Sequence, residues 1–386
     1  MEQKDPLEIL IAPDSFKHSL PAKEVCNYLS KGLIHSRLRC RVQRFPMADG
    51  GEGTMEALVA ATDGTWIEVQ TYDPLMRPLK THYGITGDGV TAIIEMAAAS
   101  GIERLLDDEL DPMGTTTYGT GQLVKHAVEQ GCTEVIIGLG GSATIDGGVG
   151  FCQGLGGVFY DMNGTRLLPG DPIYRIYEFD LTKPNQLLNG IDVLAACDVA
   201  NPLLGSEGAA RTFGPQKGAD HEQVQALETA LKKLYSKIEK QQGKSIAAQK
   251  GAGAAGGLGA GIVAFANGTL TPGFELIADR ANLELAIEAA DVVITGEGKL
   301  DAQTAFGKTP YGVARLAKKY NKPVVAIAGT LAQGHQELYD EGFDILLSLA
   351  EGPATLKELI ENAPGLLINT GERIGQLLKM MQQWQF

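Results

Sequence analysis

The sequence predicts an α/β protein of two domains, a doubly wound, Rossmann-like parallel-sheet domain with a second α/β domain containing a mixed sheet inserted in it. Three observations carry this. Short apolar runs alternate with helical periodicity at both ends of the chain, as βα units require. After Gly64 the rhythm changes to closely spaced runs separated by turn residues, the pattern of short strands in a mixed sheet. At 386 residues the chain also exceeds a comfortable single core, so two domains of roughly 150–200 residues are expected.

Taken in order, Leu7–Ala12 is the first strand, and Ser19 as N-cap with Pro21 in the first turn opens a helix whose apolar stripe is Val25, Tyr28, Leu29 and Leu33. Arg41–Phe45 is a strand, and Thr54–Ala61 a short helix after the Gly50–Gly53 loop. Thr65–Thr71, Lys80–Ile85 and Thr91–Met96 follow as short strands, punctuated by Asp73-Pro74 and Gly87-Asp88-Gly89. A helix near Thr120–Gln130 leads to the stretch Glu134–Val149. Val158–Tyr160 enters a polar loop and Asp192–Cys197 is a further strand; His221–Gln242 is a long amphipathic helix with Val224, Leu227, Leu231 and Leu234 inside. After Ala286–Ala290 the βα rhythm returns, with strands Val292–Thr295, Val324–Ala328 and Ile345–Leu349 and helices at Pro310–Tyr320, near Gln333–Tyr339, and from about Ala354. The expected domains are therefore 1–62 plus 287–386, and 63–286, with Thr120–Gly148 assignable to either.

The formal net charge of −14 disfavours a nucleic-acid or anionic-membrane partner, which would need a basic face. The 49 glycines exceed the average of about 7%, yet form no collagen or linker repeat, so they belong to loops. Five cysteines show no metal spacing and an odd count, as expected of small core residues in a reducing compartment. Leu7–Ala12 is too short for a signal core, and no run reaches the ~18 apolar residues of a membrane span. The expectation is a cytoplasmic protein.

The stretch Glu134–Val149, EVIIGLGGSATIDGGV, centres the chemistry. An apolar run stops at Gly138, Gly140, Gly141 and Ser142, which reads as a buried strand entering a loop. In open α/β sheets ligands bind beyond the carboxyl ends of strands, and glycines let N–H groups close on a phosphate. Acids recur in the same position after other apolar runs: Asp14, Asp49 in Ala48–Gly53, Asp198, and Glu297 with Asp301. Carboxylates beside glycine loops suit a Mg²⁺-bound polyphosphate better than a bare anion, because Mg²⁺ takes a few carboxylate oxygens and keeps phosphate and water ligands.

Each motif has a rival reading. Gly138–Ala143 also fits G-x-G-x-x-A, the dinucleotide fingerprint, with Asp161 as ribose acid, although Gly147, Gly148, Gly150 and Gly154 would weaken the helix that should follow. Gly307-Lys308-Thr309 resembles the end of a Walker A motif, but the glycine required five positions earlier is Ala302. Lys17, in Asp14-Ser15-Phe16-Lys17, could neutralise an anion at a helix N-terminus or simply face solvent. Lys217 sits in the tight loop Phe213–Gly218. Gly251–Gly261 holds another G-x-G-x-x-G but follows no apolar strand, which favours close packing or a backbone-lined ligand wall. The six histidines show no metal spacing.

Together these stretches resemble the glycerate kinase family. The matching pieces are IAPDSFK at Ile11–Lys17, ADGGEGT at Ala48–Thr54, GLGGSAT at Gly138–Thr144 with DGG at Asp146–Gly148, CDVANPLLG at Cys197–Gly205, FGPQKGA at Phe213–Ala219, GAGAAGGLG at Gly251–Gly259 and TGEGKLDAQTAFGKTP at Thr295–Pro310. They are colinear over nearly the whole chain. His18 stands where the family usually has glycine, and Ile145 where it has asparagine.

The resemblance implies a two-domain α/β architecture with the active site in the cleft, and ATP-dependent phosphorylation of D-glycerate, giving 2-phosphoglycerate in many members and feeding glyoxylate and sugar-diacid carbon into glycolysis. On that footing Asp14, Asp49, Lys17 and Lys217 are the catalytic candidates; Gly138, Gly140, Gly141, Ser142, Gly296, Gly298 and Lys308 would contact ATP; Asp198, Glu297 and Asp301 would hold Mg²⁺. The partners are then the two small molecules, with no nucleic acid and no membrane, and a homo-oligomer stays open. An NAD-dependent dehydrogenase of a small hydroxy acid and a non-catalytic glycerate sensor are the alternatives.

Overall fold

The computed structural model describes residues 5–302, 304 and 308–384. In chain order its strands are β1 (Leu7–Ile11), β2 (Cys40–Arg44), β3 (Thr65–Tyr72), β4 (Pro78–Ile85), β5 (Thr91–Glu95), β6 (Glu134–Gly138), β7 (Val158–Tyr160), β8 (Glu178–Asp180), β9 (Asp192–Ala196), β10 (Thr269–Thr271), β11 (Val292–Leu300), β12 (Val324–Leu331) and β13 (Ile345–Ser348). The chain forms two compact units, residues 1–49 with 274–386, and residues 50–273.

The first unit is built on a five-stranded sheet in the order β13-β12-β11-β1-β2, parallel throughout. Counted within the unit, this is the doubly wound order 2-1-3-4-5. Strand order reverses between β1 and β11, and ligands bind beyond the carboxyl ends at such a switch point. Ile9, Ile11, Val292, Ile294, Val325 and Ile327 are buried in one core with Val25, Leu29 and Leu33 of the helix Ala22–His35. That helix lies against Leu356–Trp384 at a glycine contact: a Cβ on Gly32 would stand 2.0 Å from the Ile368 carbonyl oxygen.

Two expectations in this unit are corrected. Ser19 is not an N-cap; Pro21 precedes the helix, and the Ser19 N–H donates to the Phe16 carbonyl in a tight turn that His18 enters at φ 62°. Gly296 and Gly298 do not lie in a loop after the strand, because β11 continues to Leu300 in register with β12. The Ile327 carbonyl oxygen would be 2.3 Å from a Cβ on Gly296, so glycine there admits the neighbouring strand.

The second unit carries a six-stranded mixed sheet, β10-β9-β6-β5-β4-β3, in which β10, β9, β6 and β5 run parallel and β4 and β3 antiparallel. A two-stranded ribbon joins β7 and β8. The helix His221–Gln242, opened by a capping box at Asp220, buries Leu227, Leu231, Leu234, Tyr235 and Ile238 in a core with Phe265 of the helix Ala254–Ala266. The glycine-dense segment thus includes a helix, entered through left-handed Ala255, Gly256 and Gly257, and serves close packing. β8 and β10, three residues each, are too short to leave a periodic signal.

The units divide at 49/50 and 273/274, where sequence rhythm placed the changes at 62/63 and 286/287. The helix Thr54–Ala61 continues the opening βα rhythm but packs on the mixed sheet, with Val59 filling the space a side chain on Gly84 would occupy. Thr120–Gly148 falls in the second unit, because β6 is hydrogen-bonded between β5 and β9. All five cysteines are free thiols. No helix among the described residues is long and apolar enough to cross a membrane.

The glycine contact between the two long helices yields a paired expectation. Gly32→Ala should lower urea-unfolding stability by about 1–3 kcal/mol, although alanine is favoured over glycine in a helix by up to about 1 kcal/mol, because the added methyl meets backbone. Gly365→Ala, exposed in the partner helix with nothing within 4 Å, should instead stabilise by up to about 1 kcal/mol.

Candidate functional site

Two clusters gather most of the residues singled out from the sequence, one in each unit. In the first unit, the switch point between β1 and β11 is fastened by backbone. The Asp14 N–H donates to the Gly296 carbonyl at 2.8 Å, and the Thr295 hydroxyl donates to the Ala12 carbonyl at 2.8 Å. The Met47 N–H donates to the Pro13 carbonyl at 2.9 Å, which brings the end of β2 to the same place. Asp14 and Asp49 become neighbours through these bonds. Burial first, and then repulsion from Asp49, push the Asp14 carboxyl up to about 7. The buried Thr309 hydroxyl is near enough to pull that value back, yet makes no well-formed hydrogen bond among the described residues.

Beside this pair, Glu297 accepts from the Thr304 hydroxyl at 2.9 Å and pairs with Lys308 at 3.2 Å, while Asp301 pairs with Lys299 at 2.8 Å. Burial raises Glu297 despite Lys308, and Asp301 adds a smaller push in the same direction. Lys17 is exposed in the turn that precedes the helix Ala22–His35. The Walker-like Gly307 lies outside the described residues, as do Gln303, Ala305 and Phe306 of the same motif.

In the second unit, glycine loops are stacked backbone on backbone. A Cβ on Gly138 would meet the Gly50 carbonyl oxygen at 2.7 Å, and one on Gly140 would meet the Gly51 Cα at 2.7 Å. Gly148 faces Gly261 in the same manner, also at 2.7 Å. The loop after β6 is further pinned by the Ala143 N–H donating to the Ser100 carbonyl and the Ile102 N–H donating to the Gly141 carbonyl. The N–H groups of Gly140, Gly141 and Ser142 donate to no described residue. Gly141, at φ 70°, is exposed and Gly140 half-buried, so consecutive donors are left for an anion.

Lys217 is fully buried. Its ammonium donates to Ser142 Oγ at 2.6 Å and to the Thr144 carbonyl at 2.9 Å. Burial pulls it down to about 7, against the attraction of Asp146. Asp198, grouped with Glu297 and Asp301 in the sequence reading, accepts from the Gly273 N–H at 2.8 Å in this unit. Among the described residues no three His, Cys, Asp or Glu side chains come together as a metal-ligand set. A magnesium ion that keeps phosphate and water ligands needs only one or two carboxylates, and the neighbouring Glu297 and Asp301 fit that requirement.

The sequence reading passed over two supports. Asp146 Oδ2 accepts from the Thr117 N–H and hydroxyl, both at 2.8 Å, and from the Gly150 N–H at 3.0 Å, and Oδ1 accepts from the Gly148 N–H at 3.0 Å. Burial raises its carboxyl and the four donors pull it back. Glu95 accepts the Met55 N–H at 2.9 Å, tying the Gly50–Gly53 loop and its helix to the end of β5, and burial pushes it up to about 7. An acid closing an apolar run is the very signal that marked Asp14 and Asp198; read at Thr91–Met96 it would have found Glu95. The dinucleotide reading finds no support, since the next helix, Val149–Gly154, is six residues long and begins well beyond Gly141. Asp161 instead accepts the Asn163 and Thr165 N–H groups of its own turn.

Comparison with known proteins is consistent across sequence and structure. The model of the Glycerate kinase family matches residues 9–379. A glycerate kinase of Haemophilus influenzae is 42% identical over 96% of this chain and 99% of its own. A glycerate 2-kinase of Escherichia coli is 42% identical over 92% of this chain and 94% of its own. The crystal structure of a putative glycerate kinase 2 from Salmonella typhimurium superposes with a TM-score of 0.87 at 40% identity, covering 98% of this chain and 100% of that one.

Asp146 offers a test of the second cluster. In Asp146→Asn, an oxygen kept toward Thr117 and Gly150 leaves the new amide facing the Gly148 N–H, donor against donor. Urea unfolding should show a loss of about 2–4 kcal/mol with no change in side-chain volume.

Proposed function

The chain belongs to the glycerate kinase family, and on that basis we propose that it transfers the γ-phosphoryl group of ATP to the 2-hydroxyl of D-glycerate, giving 2-phosphoglycerate and ADP. The single observation that carries the chemistry is the Asp14–Asp49 pair at the switch point of the parallel sheet, with one carboxyl held near neutrality. The 2-hydroxyl is favoured by the Escherichia coli relative, which bears the name glycerate 2-kinase.

Phosphoryl transfer asks a protein mainly for positioning and for neutralisation of charge. The acceptor hydroxyl attacks the γ-phosphorus, the bond from that phosphorus to the β,γ-bridging oxygen breaks, and ADP leaves with the electron pair. The hydroxyl proton passes to the Asp14–Asp49 pair. An acid of ordinary pKa would be a weak base at neutral pH, whereas one near 7 is matched to the task. The free N–H groups of Gly140, Gly141 and Ser142 are assigned to phosphate oxygens, with Gly138 allowing the loop to sit close on Gly50. Lys17, exposed in its turn, is assigned to the carboxylate of glycerate or to the γ-phosphoryl oxygens.

Glu297 and Asp301 would hold the magnesium of MgATP, directly or through water, and Lys308 would exchange its pairing with Glu297 for the nucleotide phosphates. Magnesium, when bound, neutralises charge on the β- and γ-oxygens. Gly296 and Gly298 contribute as strand residues that let backbone approach, a Cβ on Gly298 standing 3.6 Å from the backbone nitrogen of Lys17.

Incubation with MgATP and D-glycerate, followed by ³¹P NMR, should give the resonance of 2-phosphoglycerate; 3-phosphoglycerate would overturn the regiochemistry and no transfer the whole reading. Asp14→Asn should lower kcat by at least about 10²-fold with ATP binding retained. In the parent enzyme log kcat/KM for glycerate should rise with pH and level off near 7, since the base works ionised, and that acidic limb should vanish in the variant. The folded-state value lies above the ordinary 3.8 of an aspartate, so the stability owed to Asp14 is complete below about pH 4 and is lost as pH rises through about 7.

A further inference from the structure

We infer that Lys217 is a positioning residue for the nucleotide site: its buried ammonium acts through Ser142, fixing the loop and leaving the Ser142 hydroxyl to donate to a phosphate oxygen. The inference rests on the proposal that Gly140–Ser142 binds ATP phosphates. Lys17 and Lys217 look equivalent in the sequence, but they are opposite in placement. Lys217 is 2% exposed, lies 6.0 Å from the Phe213 ring centre, and has two of its three hydrogens committed to Ser142 and Thr144. It is sealed from solvent, and its ammonium touches the loop directly.

The hydrogen-bond chemistry sets the direction. An ammonium can only donate, so at 2.6 Å Ser142 Oγ must accept, and its own hydrogen has to go elsewhere. No described residue accepts it. Ser142 is 9% exposed and adjoins the exposed Gly141 in the loop whose N–H groups are uncommitted. The adjacent N–H groups of Gly140, Gly141 and Ser142 also lack partners among the described residues. The result is a row of donors without an acceptor, which selects an oxygen that carries no proton, as on an ionised phosphate. Taking an ammonium out of water costs free energy that its partners must offset, and both partners here, Ser142 and Thr144, lie in the one loop. The ammonium therefore has its use in the orientation it imposes. Without it, the Ser142 hydroxyl is free to turn inward to the Thr144 carbonyl, and the row loses a member.

The test is a double-mutant cycle on the full chain, reading KM for ATP, kcat and urea stability for Ser142→Ala, Lys217→Met and the double variant, with Ser142→Thr as the variant that keeps a hydroxyl. Ser142→Ala and Lys217→Met should each raise KM for ATP roughly tenfold with a smaller effect on kcat, the double variant should be no worse than either, and Ser142→Thr should stay within about threefold of the parent. Additive losses, or a normal KM in Lys217→Met, overturn the inference while leaving the loop as nucleotide site. A normal KM in Ser142→Ala overturns the nucleotide reading of the loop itself.

If Lys217→Met does not fold, pH replaces it. Lys217, whose one charged influence is Asp146, titrates near neutrality, and once deprotonated it can accept from Ser142 and turn that hydroxyl inward. KM for ATP should then rise severalfold between pH 6.5 and 8.5 in the parent and stay level in Ser142→Ala; parallel profiles in the two overturn the inference.

Discussion

Backbone laid directly on backbone is the constraint from which the second unit's site follows. Gly138 on Gly50, Gly140 on Gly51 and Gly148 on Gly261 each approach so closely that a single methyl group would force the loops apart. Loops held this way need few side chains to define them. Among the described residues the N–H groups of Gly140, Gly141 and Ser142 remain uncommitted, while the carbonyl of Gly141 is used to pin the loop. Part of the high glycine count of the chain is explained by this construction.

The same economy appears in how charge is buried. Asp146 accepts four hydrogen bonds and thereby gathers Thr117, Gly148 and Gly150 around one carboxylate; Lys217 is turned onto Ser142 and Thr144; Glu95 ties the Gly50–Gly53 loop to the end of β5. Each group is partnered, as buried charge must be, and each acts on backbone that carries the site. In the first unit the logic is reversed. Asp14 is placed beside Asp49 with too few donors to offset burial, and the outcome is a carboxyl near neutrality, where a base for an alcohol is most useful.

Much of this was legible before any coordinates. Apolar runs ended within one residue of the observed strands at β1, β5, β6 and β9, because a parallel strand paired on both sides and largely buried leaves a nearly unbroken apolar signature. The acids at strand ends were legible for the same reason. The extension of β11 through Gly296 and Gly298 was not, since two glycines and two charges look like a loop until a neighbouring strand supplies partners. Nor was the placement of the helix Thr54–Ala61, whose apolar face would suit either sheet.

What the amino-acid sequence determined by itself was the alternation of elements, the class of fold, and the residue types available for phosphate and proton chemistry, because these depend on local periodicity and on the identity of residues next to one another. Tertiary structure alone decided that Asp14 stands beside Asp49, that Lys17 is exposed while Lys217 is sealed against Ser142, and that Asp146 gathers Thr117, Gly148 and Gly150 around one carboxylate. Those outcomes depend on hydrogen bonds between residues separated by up to hundreds of positions, and on burial, neither of which a single stretch of sequence contains.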